Sequence, residues 1–406
     1  MTTNDKHFEG LRKLVYQAPT EQSWYELLNI LDLMEGESLA MGIEYVREHI
    51  QSWPVEARSY RCPLNQFLKA PPKGWPLIKT LFLRGSEIRG EGIQSIAKSP
   101  HLSSIHTLNL SGNGIGNKGV EALANSPYLQ SLYSLDLSYN GIGHEGAKAL
   151  ANSPHLSNLS TLKLSNNGVG SEGTRALVKS PHLASLTTLE LRGNQIGDEG
   201  AKALENGSAL RALSALNLCN NQIKGEGAIA LANSPHLASV STLELSGNPI
   251  GDEGLKALLK SPYLASISIL RLSNSHIGDE GLKALANSPY LASISILELY
   301  DNAIGDEGVK TLVSSPHITS ISFLGLSDNQ IGNEGIKALA ASPHLKSLST
   351  LRLSNNHIGY EGIRALADSL HLSALSTLEL YDNNMGDEGL KALGDSPYLR
   401  TCHVDM

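Results

Sequence analysis

The segment IHTLNLSGNGI, residues 105–115, decides the fold of this chain, because closely similar segments recur along the sequence at a constant interval. Within it, Leu108 and Leu110 alternate with the polar residues Thr107 and Asn109. A period of two predicts a short strand that turns both leucines inward and the polar side chains outward.

The next segment, GNKGVEALANSPYL at residues 116–129, has the period of a helix. Val120, Leu123 and Ala124 are spaced three and one residues apart, which forms an apolar stripe, and Pro127 ends the helix. In five other units an aspartate stands where a helix needs a cap, and we expect each to cap its own helix: Asp198, Asp252, Asp279, Asp306 and Asp387.

The strand leucine returns every 27 residues without a slip, which defines twelve units: 81, 108, 135, 162, 189, 216, 243, 270, 297, 324, 351 and 378. Units of this length are typical of solenoids, in which each repeat buries its apolar face against its neighbours. Parallel strands stack about 4.8 Å apart, whereas packed helices need roughly 8 to 10 Å. The array is therefore an α/β solenoid that we expect to curve with its strands on the concave side.

The pattern LxxLxLxxNxI joined to GDEGxKALANSPxL resembles the ribonuclease-inhibitor type of leucine-rich repeat, as in Ran GTPase-activating proteins, NOD-like receptors and many bacterial repeat proteins. The resemblance covers the repeat domain, residues 77–406, which comprises twelve units and a short C-terminal end. It implies a right-handed βα horseshoe with a parallel sheet on the concave face and helices on the convex face. Asn fills the column of Asn113 except at Ser86 and Ser275, and we expect its amide to satisfy backbone groups of the next turn.

Residues 1–76 differ from the repeats and contain all three tryptophans, Trp24, Trp53 and Trp75. Apolar residues at helical spacing predict two or three helices there. We expect them to cap the hydrophobic end of the solenoid, with a small module that recruits a second partner as the alternative.

Charge and composition exclude several classes of protein. The chain has 32 basic and 40 acidic residues, so its net charge of −8 argues against a partner that is nucleic acid or an anionic membrane. No apolar run of about 18 residues and no secretory signal sequence is present. Cys62, Cys219 and Cys402 lie far apart, which favours a reducing compartment. We expect a cytoplasmic location, to which delivery into a host cell by a specialised secretion system is an alternative.

Three patterns that suggest chemistry have simpler explanations. The motif GxGxxG at Gly114–Gly119 follows a strand and opens a helix, but later units lose its first glycine, so it serves the repeat turn. The histidines at 101, 155, 182, 236, 317, 344 and 371 occur once per unit, and we expect a row that does not converge on a metal. Cys219 stands in a column of serines, and we expect it to project from the concave face as a neutral variant. We therefore expect no enzyme, cofactor or metal.

Departures from the repeat on the strand face point to a binding site. Thr precedes the strand leucine in most units, but three successive units have Ile269, Ile296 and Phe323. Contiguous exposed apolar side chains mark interaction surfaces, although β-branched and aromatic residues also stabilise strands. The candidate site also contains charged and aromatic residues beside this row: Arg271, Glu298, Tyr300, Asp301, Asp328, Tyr381 and Asp382.

These patterns favour a non-enzymatic scaffold that holds another protein on its concave face. One alternative is an enzyme regulator, either inhibitor-like or GTPase-activating-like, the second of which needs a catalytic arginine from among Arg84, Arg192, Arg271 and Arg352. Another is an adaptor or a secreted bacterial effector that uses residues 1–76 for a second partner. The irregular segment 205–210 is either a local bend or sequence drift.

Overall fold

The computed structural model describes residues 3–54, 56–61, 67–68, 71–207 and 209–406. They form two compact units, the first Met1–Gly168 with Ser180–Leu186 and the second Val169–Lys179 with Thr187–Met406. Both units alternate short parallel strands with helices, as predicted. None of the helices in the described ranges combines the length and apolar character that crossing a bilayer requires.

The strands are three residues long and follow one another in chain order. Those of the first unit are β1 (Ser59–Arg61), β2 (Thr80–Phe82), β3 (Thr107–Asn109), β4 (Ser134–Asp136) and β5 (Thr161–Lys163). Those of the second unit are β6 (Thr188–Glu190), β7 (Ala215–Asn217), β8 (Thr242–Glu244), β9 (Ile269–Arg271), β10 (Ile296–Glu298), β11 (Phe323–Gly325), β12 (Thr350–Arg352), β13 (Thr377–Glu379) and β14 (His403–Asp405). Paired residues are 27 positions apart in the repeats, as for Ile269 and Ile296.

One helix follows each strand of the repeats. The helices of the first unit are Thr3–Val15, Glu21–Asp32, Gly36–His49, Arg89–Ala97, Gly116–Ala124 and His144–Ala151. Those of the second unit are Gly170–Val178, Gly197–Glu205, Gly225–Ala232, Gly251–Lys260, Asp279–Ala286, Asp306–Val313, Asn333–Ala341, Tyr360–Ala367 and Gly386–Gly394. The core lies between the strand and helix layers, where leucines such as Leu324 and Leu339 are fully buried. The predicted α/β solenoid is confirmed.

The described part of residues 1–76 contains the helices Thr3–Val15, Glu21–Asp32 and Gly36–His49, in agreement with the prediction, but β1 was not predicted. This strand pairs with β2 in the register of the repeats, although its sequence lacks the repeat leucines. An aromatic group joins the segment to the first repeat, because the Trp75 indole Nε1 donates a hydrogen bond to the His101 carbonyl at 2.8 Å. The Phe67 ring lies 5.3 Å from the ring of Trp75. At the other end, β14 extends the sheet beyond β13, which the repeat pattern did not predict either.

A ladder of buried asparagines links successive turns, but each amide bonds the preceding turn and not the next one, which was the expected partner. The Asn221 amide nitrogen donates to the carbonyls of Leu191 and Leu218, both at 2.9 Å. Its oxygen accepts from the backbone N–H of Asn194 at 2.8 Å. Each asparagine therefore satisfies backbone groups of its own unit and of the preceding one. At Ser275 these bonds to the preceding unit are replaced by a local bond to the carbonyl of Ser273 at 3.2 Å.

The expectation that the aspartates cap their own helices is wrong. Asp198 lies inside the first turn of its helix, and one carboxylate oxygen accepts from Lys224 N–H at 2.7 Å and Gly227 N–H at 3.0 Å in the following unit. Asp306 bonds Gly332 and Gly335 in the same way. The carboxylates thus satisfy the free N–H groups at the start of the next helix and connect neighbouring units.

A second inter-unit ladder explains the recurrent Ser-Pro dipeptide. The Ser315 hydroxyl donates to the carbonyl of Ala286, one unit back, at 2.6 Å. In the irregular segment 205–210, Gly207 stands in place of the serine, and the Ala209 N–H bonds the carbonyl of Val178 at 3.1 Å. A backbone hydrogen bond therefore replaces the serine hydrogen bond between these two units. Ser208 lies outside the described residues.

The GxGxxG glycines serve the turn, as predicted. Gly114 and Gly116 have φ of +61° and +64°, which glycine adopts without strain. A Cβ on Gly119 would lie 2.5 Å from the Ile115 side chain, so this glycine lets the helix pack closely. The described residues hold no group of three or more His, Cys, Asp or Glu side chains that could bind a metal ion.

Candidate functional site

Three apolar side chains form a continuous row across adjacent strands of the second unit. Ile269 of β9 pairs with Ile296 of β10, which pairs with Phe323 of β11. All three are half-buried on the outer side of the sheet, while the leucines beside them face the core. Thr242 and Thr350 occupy the neighbouring positions on either side. We call these three residues the apolar row.

A charge ladder runs beside the apolar row. The Arg271 guanidinium pairs with Glu244 of β8 and, through Nε at 3.0 Å, with Glu298 of β10. Burial alone lowers the pKa of Arg271, but the hydrogen bonds and charges of the two glutamates outweigh it and raise the pKa. These strands thus neutralise much of their own charge, and Arg271 is held in a fixed position between two carboxylates.

The ladder is interrupted at Gly325, and the structure explains why. The Tyr300 ring lies over this glycine, and a Cβ on Gly325 would be 2.2 Å from the ring carbon Cε1. Burial, followed by the charge of Glu298, raises the pKa of Tyr300 to about 12. The tyrosine is therefore a neutral, largely buried side chain that fills the place of a ladder residue.

Arg352 belongs to the same cluster, although the predicted site did not include it. Its guanidinium carbon lies 5.1 Å from the centre of the Phe323 ring, and its Nε is 2.9 Å from a carboxylate oxygen of Glu379. The positively charged guanidinium is attracted to the electron-rich face of the Phe323 ring, which is a cation–π interaction. Its position in sequence, one strand beyond Phe323 and in the charge column, was the signal that could have identified it.

The predicted acidic residues lie at the turns after the strands. Asp301, Asp328 and Asp382 are exposed and have φ of 51°, 57° and 56°. Asp tolerates this left-handed conformation better than most residues, which is a structural reason for its presence. The Asp328 carboxylate accepts from the Asn355 amide at 2.6 Å. Tyr381 is 48% exposed on the segment after β13, two strands beyond β11.

Cys219 lies on the strand face as expected, with its thiol 3.9 Å from a carboxylate oxygen of Glu244, but only 6% of the residue is exposed. Burial, with the charge of Glu244, raises the pKa of its thiol to about 11. A thiol of this kind is mostly protonated at neutral pH and is a poor nucleophile. The prediction of an unreactive side chain agrees with these properties, and the thiol is covered on the strand face by its neighbours.

Two exposed tyrosines around β4 of the first unit were not part of the predicted site. Tyr133 is 51% exposed and its ring contacts the His106 ring at 5.4 Å. Tyr139 is 63% exposed and has φ of 59° at a position that other units fill with Gly, Asn or Asp. Their replacement of small polar residues was the available sequence signal.

Known proteins contain repeats similar to those of this chain. Two solved structures from Listeria monocytogenes are similar: an internalin with 21% identity over 85% of this chain and 97% of that one (TM-score 0.40), and an internalin C2 with 25% identity over 62% and 81% (TM-score 0.38). Comparison with curated protein sequences found no match. The family described as Leucine Rich repeat matches residues 101–124, 128–151, 155–178, 182–204, 210–232, 236–259, 263–286, 290–313, 317–340, 344–367 and 371–394. Because these matches cover more than half of the sequence, the chain belongs to the leucine-rich repeat family.

Proposed function

We propose that the chain is a scaffold that binds another protein through the strand face of its second unit, centred on the apolar row. The observation that carries this proposal is the row itself: Ile269, Ile296 and Phe323 are in register and partly exposed where other units place small hydroxyl residues or alanine. Full burial of each side chain would contribute about 1.5 to 3 kcal/mol, of which the part still exposed is available to a partner.

The charges around the row favour a partner with a basic rim. Two guanidiniums, those of Arg271 and Arg352, lie among six carboxylates, those of Glu244, Glu298, Glu379, Asp301, Asp328 and Asp382. Tyr381 adds an exposed aromatic ring beside one of the aspartates. An apolar anchor surrounded by Lys or Arg would complement this surface and associate faster at low salt.

The geometry gives less support to an enzyme regulator of the GTPase-activating type that would use Arg271 or Arg352. Such an activity needs an arginine that can reach into a partner's active site, whereas Arg271 is held by two glutamates and Arg352 by Glu379 and the Phe323 ring. Releasing either cation would leave buried or half-buried carboxylates unpaired. We therefore favour binding without catalysis, in an array of the ribonuclease-inhibitor type.

Residues 1–76 would then cap the first repeat, and the protein would act in the cytoplasm. The contacts between Trp75 and His101 support a cap on the first repeat, because an uncovered repeat would expose its apolar side. The buried thiol of Cys219 suits a reducing compartment such as the cytoplasm.

The test is affinity capture with three proteins that are first shown to be folded. A partner retained by the wild type should be lost with the double variant Ile296→Thr and Phe323→Thr, which restores the usual residue type of the column. Ile229→Ala is the matched control, since Ile229 is 46% exposed on the helix layer. Retention of the same partner by the double variant would refute the proposed site. Loss of the partner with Ile229→Ala alone would indicate that the binding site lies on the helix layer.

A further inference from the structure

One junction between helices of the second unit has a bulkier side chain and a longer inter-unit hydrogen bond than the junctions that follow it. The last turn of the helix Gly251–Lys260 contains Leu259, whereas the corresponding positions before and after it are Ala232 and Ala286. The additional side-chain volume lies against the next helix, Asp279–Ala286. Tightly packed layers respond to such volume by moving apart.

The serine ladder measures this separation directly. The hydroxyl of Ser288 is 3.1 Å from the carbonyl of Leu259, whereas the next three bonds of the ladder, donated by Ser315, Ser342 and Ser369, are 2.5 to 2.6 Å long. The asparagine ladder is interrupted between the same two units, at Ser275. Two independent sets of inter-unit bonds are thus weaker at one place.

The core leaves a gap at this junction. Leu270 retains 4% exposure, while Leu297 and Leu324 at the corresponding positions are fully buried. Ile267 retains 5%, compared with 2% and 0% for the corresponding Ile294 and Ile321. A narrow apolar crevice of about 20 Å³ lies among these side chains and is lined by Leu259 and Tyr290 as well. This volume is about enough for one water-sized or methyl-sized group.

The crevice adjoins a wider cleft at the surface of the helix layer. This cleft has a volume of about 410 Å³, and Leu259 and Tyr290 line both spaces. Ala284 forms part of its wall, and Lys256 and Lys260 stand at its edge. Lys256 pairs with Glu253 at 3.3 Å, whereas the Lys260 amine has no partner within the described part of the chain.

We propose that this cleft binds a linear aliphatic carboxylate, such as a medium-chain fatty acid, with its carboxylate at Lys260, its alkyl chain in the cleft against Leu259 and Tyr290, and its terminal methyl group at the mouth of the crevice. A lysine at the end of a helix also suits the helix dipole, so Lys260 alone would not indicate a ligand. The apolar space beside the unpaired amine supplies the second feature, and the volume lies within the range of small-molecule sites. The site is on the helix layer and does not depend on the proposed partner surface.

Calorimetric titration of the full chain with octanoate, decanoate and dodecanoate tests the proposal. Each additional buried methylene should tighten binding about fourfold. Lys260→Asn, which installs the residue that several other units have here, should weaken decanoate binding about threefold and leave decanol binding unchanged. Methyl NMR signals of Leu259 and Leu264 should shift on titration of the wild type.

A blocking variant and its matched control complete the experiment. Ala284→Trp should fill the cleft and abolish binding, whereas Ala338→Trp, at the corresponding half-exposed position of the helix Asn333–Ala341, should leave binding unchanged. If Ala284→Trp does not fold, the wild-type NMR titration shows whether the acids bind in the cleft, because binding there should shift the methyl signals of Leu259 and Leu264. Absence of binding up to about 1 mM for all three acids, or equal affinity regardless of chain length, would overturn the proposal.

Discussion

The hydrogen bonds of the asparagine ladder should make a measurable contribution to the free energy of unfolding. Asn221 is fully buried, and its amide nitrogen donates to the carbonyls of Leu191 and Leu218. Its amide oxygen accepts from the N–H groups of Asn194 and Ile196. At a net value of about 1 kcal/mol each, these four bonds contribute about 4 kcal/mol, of which a serine hydroxyl recovers about one. Asn221→Ser should therefore lower the free energy of unfolding by about 3 kcal/mol.

Urea denaturation followed by circular dichroism measures the global loss, and native-state hydrogen exchange measures the local one. The amides of Asn194 and Ile196 should lose the most protection, because they lose their acceptor directly. Asn233→Ser is the control, since Asn233 is exposed at the end of a helix and Ser314 occupies the corresponding position of another unit. A loss below about 1 kcal/mol with unchanged exchange at these two amides would contradict the value assigned to the ladder.

Four further results are expected. Ser275→Asn should complete the ladder and raise the free energy of unfolding by about 1 to 3 kcal/mol, measured by the same denaturation; a loss of stability would show that the site cannot accept the amide. Gly325→Ala should destabilise the fold by about 1 to 3 kcal/mol because its Cβ would overlap the Tyr300 ring, and adding Tyr300→Ser should restore most of the melting temperature. With a thiol pKa of about 11, Cys219 should be about one thousandth thiolate at pH 8, so its labelling by a thiol reagent should be slow and rise about tenfold per pH unit; fast labelling of the folded chain would contradict its burial. Deletion of residues 1–76 should expose the first repeat and cause self-association in light scattering, whereas a folded monomer would favour a separate module.

The aspartates illustrate how a correct choice of chemistry can accompany a wrong assignment of partner. Asp at the start of a helix indicates N–H groups that need an acceptor, and Asp198 does supply one. The N–H groups belong to Lys224 and Gly227 of the following unit, however. A one-dimensional pattern repeats identically in each unit, so it cannot distinguish a contact within a unit from the same contact to the next one.

The candidate site also contains features that the sequence predicted and features that it did not. The departures Ile269, Ile296 and Phe323 were visible in the sequence, and the constant period placed them on adjacent strands before the structure did. The position of Tyr300 over Gly325 and the stacking of Arg352 on Phe323 were not predicted. Both depend on which rotamers long side chains adopt among neighbours from other units.

The sequence by itself determined the solenoid, its period, the strand and helix of each unit and the direction in which each strand residue points. These features follow from local periodicity, which is repeated so often that no alternative pairing satisfies the leucines. Only the tertiary structure decided which unit receives each side-chain bond, where β1 and β14 extend the sheet, and where Leu259 separates two helices. These outcomes depend on volume and hydrogen-bond geometry between residues about 27 positions apart, which spacing along the chain does not encode.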